Sequence, residues 1–193
     1  MFAPILVTPP DADIITLAEA KSHCRVDHTD DDDLISGLIA KATSHLDGAS
    51  GILGRCLISQ TWRVDFPCWN SCFRLPFPNV RSATVSYFDT SNVEQTVADA
   101  SVEVFEDHIS SIVRMSNSFA RPSTYSDRAA PVRIEFIAGY GDDAADVPQA
   151  ITLAALLLIG HLYENREAST AEAMSVLPLA FDALVAPFRR VGI

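Results

Sequence analysis

Residues 146–167 form the most apolar stretch of the chain, and they limit the possible folds more than any other segment. Pro148 suits the first turn of a helix, where its missing N–H leaves no hydrogen bond unmade. Apolar side chains then recur at spacings of three and four: Ile151, Ala155, Leu158 and Leu162. Further leucines cover most of the remaining surface, and a helix that is apolar nearly all round must be buried by several neighbours. The sequence therefore predicts a helix over 148–163 that packs against other elements or against further copies of the chain.

The charge balance limits the class of partner. With 25 acidic and 14 basic residues the formal net charge is −11, which argues against electrostatic wrapping of nucleic acid. This balance suits a surface that DNA must pass without sticking, and it equally suits simple solubility. The apolar run of the predicted helix is shorter than the roughly 20 residues that cross a bilayer. We therefore expect no membrane insertion and no sequence-specific contact with DNA.

Cysteine spacing argues against a structural metal. The four cysteines are Cys24, Cys56, Cys68 and Cys72. Their spacing does not make the two CxxC pairs of a zinc site, and no basic segment of a secretory signal opens the chain. We expect reduced thiols, and we expect neither a metal nor another cofactor.

Two helices are predicted before residue 50. Thr16 and Glu19 have the spacing of a capping box, which starts a short helix over 17–24. Residues 30–33 are four consecutive aspartates, and the segment after them carries an apolar stripe with a helical period. The run lacks the central Gly and closing Glu of a calcium loop. We therefore interpret it as the capping, acidic start of the second helix rather than as a metal site.

From residue 57 the hydrophobic period changes from helical to alternating. Short strands are predicted at 61–66, 73–75, 80–88, 93–97, 102–105, 109–115 and 132–137, with turns between them. The predicted fold class is α+β: a helical bundle of N-terminal helices plus a long C-terminal helix, with an inserted antiparallel β module. We expect residues 1–56 and 141–193 to form the helical domain and residues 57–140 to form the inserted β subdomain.

Known catalytic motifs are absent from the sequence. His161 and Glu164 lie three apart on the predicted central helix, but a catalytic zinc helix would need a second histidine. No GxSxG elbow, Walker loop or dinucleotide fingerprint occurs. A hydrolase assembled from distant residues stays open as an alternative. A buried cleft that held a carboxylate with two or more of four histidines would support it: His23, His28, His108 and His161.

A second alternative is a ligand- or surface-binding β module on a helical base. Trp62, Trp69, Phe73 and Phe77 lie near two arginines in the sequence and could form a stacking platform. An aromatic-rich core explains them more simply. An exposed patch around Trp69 and Phe73 would favour ligand binding, whereas burial of both rings would count against it.

The succession of segments resembles phage head–tail connector proteins, the HK97-type connectors and their relatives with a β insertion. Residues 16–42 fit the family's opening at these positions: Leu17, Glu19, Ala20, Lys21, Arg25, Val26, Asp27, Asp32, Asp33, Leu34, Ile35 and Ile39. Cys24 stands where leucine is more usual. Shorter matches follow at 60–62, 75–76, 87–89, 138–141, 147–148, 161–167 and 184–190. Gene transfer agents, which are phage-like particles encoded by bacteria, use similar adaptors.

The resemblance implies a structural protein without enzymatic activity or cofactor. It implies a homo-oligomeric ring, dodecameric in the family, that docks beneath the portal protein of a DNA-filled head. The ring would join the head to downstream tail or stopper proteins and enclose the DNA channel. Such a protein is made in the bacterial cytoplasm and lies at the head–tail junction of the particle.

Two sets of contact residues are hypothesised on this basis. The subunit interface is predicted to include Leu156, Leu157, His161 and Tyr163, with an intrachain core as the alternative. The portal contact is predicted to include Phe188, Arg189, Arg190 and Ile193, with a frayed end as the alternative.

Overall fold

A computed structural model describes residues 1–107, 110–166 and 179–190 of the protein. These residues form four α-helices and two antiparallel sheets, which confirms the predicted α+β class. The chain divides into two compact units. The helical unit comprises Ala12–Ile58 and the described residues from Gly141 onward, and the β unit comprises Met1–Asp11 and Ser59–Tyr140. None of the helices in the described ranges is long and apolar enough to span a membrane.

The first helix, α1 (Leu17–Cys24), begins at the predicted capping box. The Thr16 side chain accepts a hydrogen bond from the Glu19 N–H at 3.2 Å, and the Glu19 carboxylate accepts one from the Thr16 N–H at 2.8 Å. These bonds satisfy backbone donors that a helix start otherwise leaves open. The bonds from Thr16 also hold the pKa of the Glu19 carboxyl below its usual value. The helix ends where Arg25 adopts a left-handed conformation with φ 57°.

The second helix, α2 (Asp32–Leu46), buries the apolar stripe that its sequence predicts. The buried residues of α2 are Ile35, Ile39, Ala42 and Leu46. Its start differs from the prediction, because the N-cap residue Asp31 makes no capping hydrogen bond with its side chain. Only Asp32 and Asp33, in the first turn, complement the helix dipole there. After the helix, the Asp47 carboxylate accepts the Leu57 N–H at 2.7 Å and fixes the following loop.

The predicted central helix is α3 (Gln149–Glu164), which contacts α1, α2 and the short α4 (Leu179–Val185). Its buried residues are Ile151, Ala154, Ala155, Leu158 and Ile159. Phe181 and Val185 of α4 are also buried. The chain leaves the helical unit after Ile58 and returns at Gly141, and these two residues form an isolated parallel bridge.

The β unit contains a five-stranded sheet with strand order β1-β2-β8-β4-β5 and a three-stranded sheet with order β3-β7-β6. The strands are β1 (Ile5–Thr8), β2 (Gln60–Phe66), β3 (Cys72–Arg74), β4 (Val80–Phe88), β5 (Glu94–Thr96), β6 (Val102–Glu106), β7 (Ser111–Met115) and β8 (Val132–Ala138). Every neighbouring pair is antiparallel. Seven of these strands overlap the predicted ones. The eighth, β1, lies in a segment for which we predicted no strand, and its pairing with β2 groups Met1–Asp11 with the β unit.

The core of the β unit is built from the alternating residues of its strands. Trp62, Val64 and Phe66 of β2 are buried, and their partners in β8 are buried as well. Aromatic rings fill the interior: the ring centroids of Phe66 and Phe73 lie 4.7 Å apart, and those of Trp62 and Phe77 lie 4.9 Å apart. The predicted division into a helical domain, residues 1–56 and 141–193, and a β subdomain, residues 57–140, remains a prediction.

Two glycines near α2 provide a matched test of the packing. A Cβ added to Gly51 would collide with the backbone of Leu46 and Asp47, whereas a Cβ added to the exposed Gly37 would meet nothing within 4 Å. We expect Gly51→Ala to lower the free energy of unfolding by about 1–3 kcal/mol. Gly37→Ala should raise it by about 0.5–1 kcal/mol, because alanine favours a helix interior. Urea unfolding of both variants measures the two effects, and equal shifts would contradict this packing.

Candidate subunit-contact surface of the helical unit

One face of α3 is only partly covered by the residues that the structure describes. Leu153 is 45% exposed, and Leu156 and Leu157 are half-buried. Spacings of three and four place these three leucines, which we call the leucine stripe, on one face of the helix. Exposed apolar surface of this kind is typical of an interaction site when it is contiguous. Two of the predicted interface residues, Leu156 and Leu157, therefore lie on a face that the described part of one copy covers incompletely.

A cleft of about 610 Å³ lies where the end of α1 meets the last turns of α3. Its lining residues are His23, Cys24, Arg25, Leu157, Gly160, His161, Tyr163 and Glu164. Gly160 permits the close approach of α1, since a Cβ there would lie 3.3 Å from the His23 ring. Two more predicted interface residues, His161 and Tyr163, thus line the cleft next to the leucine stripe.

A hydrolase site would need a buried cleft that holds two histidines and a carboxylate. The cleft supplies these side chains, because His23, His161 and Glu164 line it together. It is open rather than buried, since His23 and Glu164 are exposed to solvent. Burial, and then the Glu164 charge, raise the pKa of the Cys24 thiol. A raised thiol pKa is the opposite of what a nucleophilic cysteine needs. The arrangement therefore gives the hydrolase alternative no activated nucleophile at Cys24.

Metal binding finds no support in the part of the chain that the structure describes. Those residues contain no group of three or more His, Cys, Asp or Glu side chains that could hold a metal ion. His108 lies outside the described residues. The run of aspartates at 30–33 is used in a different way.

Asp31 joins the start of α2 to the end of α3. Its carboxylate accepts a hydrogen bond from the Tyr163 hydroxyl at 2.5 Å and pairs with the Arg166 guanidinium at 2.9 Å. The same guanidinium lies over the Tyr163 ring, 4.6 Å from its centroid. We call these three side chains the Asp31 latch. Tyr163, which the sequence assigned to the subunit interface, therefore uses its hydroxyl within the chain.

The electrostatics of the latch favour the ionised carboxylate. The hydrogen bond from the Tyr163 hydroxyl, followed by that from Arg166, holds the pKa of Asp31 below its usual value. The same interactions with Asp31 raise the pKa of Tyr163 and that of Arg166. All three pKa shifts have the same cause: the contacts stabilise the state in which Asp31 is charged and its two partners keep their protons.

The next aspartate points to a different helix. Asp32 pairs with Lys21 of α1, with 2.5 Å between the Lys21 Nζ and the Asp32 Oδ1. Neighbouring acids at the start of α2 thus contact α1 and α3. Sequence reasoning assigned both residues to capping and missed these pairs. The one sequence signal for these pairs is that four consecutive aspartates are more than the start of one helix needs.

The predicted portal-contact residues lie at the end of the described chain. The Arg190 N–H donates to the Leu53 carbonyl at 3.0 Å, and the Arg190 side chain lies near Gly54. Arg189 is exposed and forms an ion pair with Asp182 of α4 at 2.8 Å. Phe188 is half-buried, and Ile193 lies outside the described residues. The segment up to Arg190 is therefore fixed to its own unit rather than frayed.

Trp69 and Phe73 do not form the exposed patch that would favour ligand binding. Phe73 is only 1% exposed. Trp69 is half-buried, contacts the rings of Tyr87 and Phe119, and donates its indole N–H to the Pro122 carbonyl at 2.9 Å. The ligand-binding alternative thus loses the aromatic patch that would have favoured it.

The latch predicts an acid dependence of stability. A carboxyl group whose pKa is lowered in the folded state stabilises the fold above its unfolded pKa, and it loses this effect as the pH falls through the folded value. We expect Asp31→Asn to melt below the wild type at neutral pH, and the gap in Tm to narrow progressively below about pH 5. Thermal unfolding followed by circular dichroism across this range measures the gap.

The control for this experiment is Asp33→Asn, which removes an exposed charge from the same run. Its Tm should stay closer to that of the wild type at neutral pH. A gap for Asp31→Asn that keeps its full size in strong acid would contradict the assignment.

Comparisons with known proteins agree with the sequence resemblance. Residues 14–67 match the family model described as phage gp6-like head-tail connector protein. No curated protein matches the chain.

Three solved structures share the fold of the whole chain. The first is the neck of an empty gene transfer agent (GTA) particle computed with C6 symmetry, with a TM-score of 0.79. The second is the virion of a native GTA particle, with a TM-score of 0.73. The third is the neck of a native GTA particle computed with C12 symmetry, with a TM-score of 0.72. In each case the identity is 22%, and the match covers 100% of this chain and 97% of the other. The predicted resemblance is thus confirmed: the chain is similar to phage gp6-like head–tail connectors over residues 14–67, and over its full length it has the fold of a chain in a gene transfer agent particle.

Proposed function

We propose that this protein is a structural head–tail connector of a phage-like particle of the gene transfer agent type. The observation that carries the proposal is the fold, which extends over 100% of this chain and 97% of a chain from a particle neck. Fold alone does not determine function. The match of residues 14–67 to a head–tail connector family is a second observation in favour of the same function. The protein would act at the head–tail junction as an adaptor, without enzymatic activity or cofactor.

A homo-oligomeric ring is the assembly that this function requires. The solved necks were computed with C6 and C12 symmetry, and the resemblance to connectors leads us to expect twelve copies. In a ring, each subunit uses two different surfaces to contact its two neighbours. In this proposal the helices form the connector bundle, and the β unit is an insertion within it.

The leucine stripe and the adjoining cleft are the proposed subunit contact. Leu156 and Leu157 are half-buried in one copy, so a neighbour could remove their remaining apolar surface from water, which is favourable. His161 and the ring of Tyr163 line the adjoining cleft. These four residues remain the contact set that we propose, and Leu153 extends it along the helix.

The C-terminal segment is the proposed portal contact. The Arg190 backbone N–H fixes the segment to the Leu53 carbonyl. Phe188, Arg189 and Arg190 carry the side chains that we propose for a portal groove. The Arg189 ion pair with Asp182 is exposed, and exposed pairs contribute little stability. Arg189 can therefore exchange Asp182 for an acidic group of the portal protein at small cost. Ile193 would extend this contact.

The charge distribution supports passage of DNA through the ring. Residues 12–58 and 141–191 contain fifteen acidic and seven basic residues, so most of the chain's net charge of −11 belongs to the helical segments. An acidic wall repels the DNA backbone, and DNA would pass it without sequence-specific binding. The proposed neighbours are the portal protein on one side and tail or stopper proteins on the other.

The stripe gives a direct test of ring formation. Leu157→Glu places a charge on the half-buried face, so we expect the folded variant to form no ring with its portal protein. The matched control is Leu179→Glu, which puts the same charge on α4 at a residue that is 84% exposed, and it should assemble like the wild type. Light scattering of each variant, alone and with the portal protein, measures the assembly.

Assembly of Leu157→Glu at wild-type concentrations would remove α3 from the interface. Failure of the wild type itself to associate with any portal protein would contradict the connector function.

The portal contact has its own matched pair of variants. Arg189→Glu reverses the exposed charge, and we expect it to weaken portal binding at least tenfold while the ring interface is kept. Asp182→Asn releases Arg189 from its intrachain pair and should leave portal binding unchanged or strengthen it. Surface plasmon resonance on immobilised portal protein measures both, and a deletion of residues 187–193 that still joined head to tail would overturn the assignment.

A further inference from the structure

The Asp31 latch holds the end of α3, where two of the proposed interface residues lie. Tyr163 stands in the last turn of the helix, and Arg166 follows two residues after its end. Both side chains reach the carboxylate of Asp31, which lies 132 residues away in sequence from Tyr163. One carboxylate oxygen of Asp31 accepts from both the Tyr163 hydroxyl and the Arg166 guanidinium. It therefore ties the end of α3 to the start of α2.

We propose that the Asp31 latch pre-orders the last turn of α3 for contact with a neighbouring subunit. The inference rests on the proposed connector function, and it names the device that keeps the contact surface ready. The ends of helices open more readily than their centres, because their final carbonyl groups lack partners within the helix. A surface that must be ordered during association binds more weakly than one that is ordered beforehand.

The local structure shows which residues share this task. Asn165 donates its side-chain N–H to the His161 carbonyl at 2.8 Å, and its backbone N–H donates to the same carbonyl at 3.0 Å. These bonds close the helix end, but they come from the same turn and can open with it. Asp31 differs because it is the N-cap residue of a different helix, α2, whose apolar stripe is buried. The latch thus transfers the rigidity of a packed helix to the turn that carries His161 and Tyr163.

Asp31 and Tyr163 act here as positioning residues, and Asp32 supplies the matched control. Asp32 has the same charge and neighbours Asp31, but its carboxylate pairs with Lys21 of α1. Asp32→Asn therefore removes one acid from the same helix start and leaves the contact with α3 intact. Tyr163→Phe is the mildest test variant, because it keeps the ring and removes only the hydroxyl that Asp31 accepts from.

The experiment combines amide hydrogen exchange with assembly on the portal protein, using the full chain. In Asp31→Asn and Tyr163→Phe, we expect amides 162–165 to exchange at least fivefold faster than in the wild type. The protein concentration for half-maximal ring formation should rise by a similar factor. Asp32→Asn should show neither change. If Asp31→Asn does not fold, Tyr163→Phe alone carries the test.

Three results would overturn the latch. The first is normal assembly by Tyr163→Phe and Asp31→Asn, which leaves the connector function standing if Leu157→Glu still fails. The second is an equal loss in Asp32→Asn, which assigns the effect to charge rather than to the contact with α3. The third is no association of the wild type with its portal protein, which contradicts the connector function and removes the purpose of the latch.

Discussion

The burial of α3 is the constraint on which the helical unit depends. This 16-residue helix contacts helices of 8, 15 and 7 residues. Full burial of an Ile or Leu side chain contributes about 1.5–3 kcal/mol, so burial of Ile151, Leu158 and Ile159 holds the neighbours around α3. Within the described ranges, these three neighbours leave one side of the helix partly exposed. The leucine stripe is what remains, and in the connector proposal a second copy covers it.

Much of the fold could be predicted because it is encoded by neighbouring residues. The start of α1 follows from Thr16 and Glu19, which are three residues apart and bond to each other. The stripe of α2 and the alternation of β2 and β8 follow from the two periods of side-chain direction. The bounds of these elements agree with the sequence within a few residues, since turns and prolines mark where each period ends.

Contacts between distant residues could not be predicted in this way. β1 is four residues long and becomes a strand only through β2, more than fifty residues later. The latch depends on a pair 132 residues apart, and a run of aspartates before a helix has a sufficient local explanation as a cap. For the same reason the sequence placed the whole of Tyr163 in an interface, whereas its hydroxyl has an intrachain partner. The sequence thus indicated the helix that carries the candidate site but not the partners of its side chains, and the subunit contact itself remains a prediction.

The bridge between Ile58 and Gly141 has a consequence for how freely the segment between them can change. The chain departs from the helical unit and comes back to it at two residues that lie side by side. An excursion that begins and ends at one place imposes almost no distance requirement on what lies between, and the entropy cost of closing a loop grows only slowly with its length. The segment between these two residues could therefore be lengthened, shortened or exchanged at little entropic cost to the helical unit.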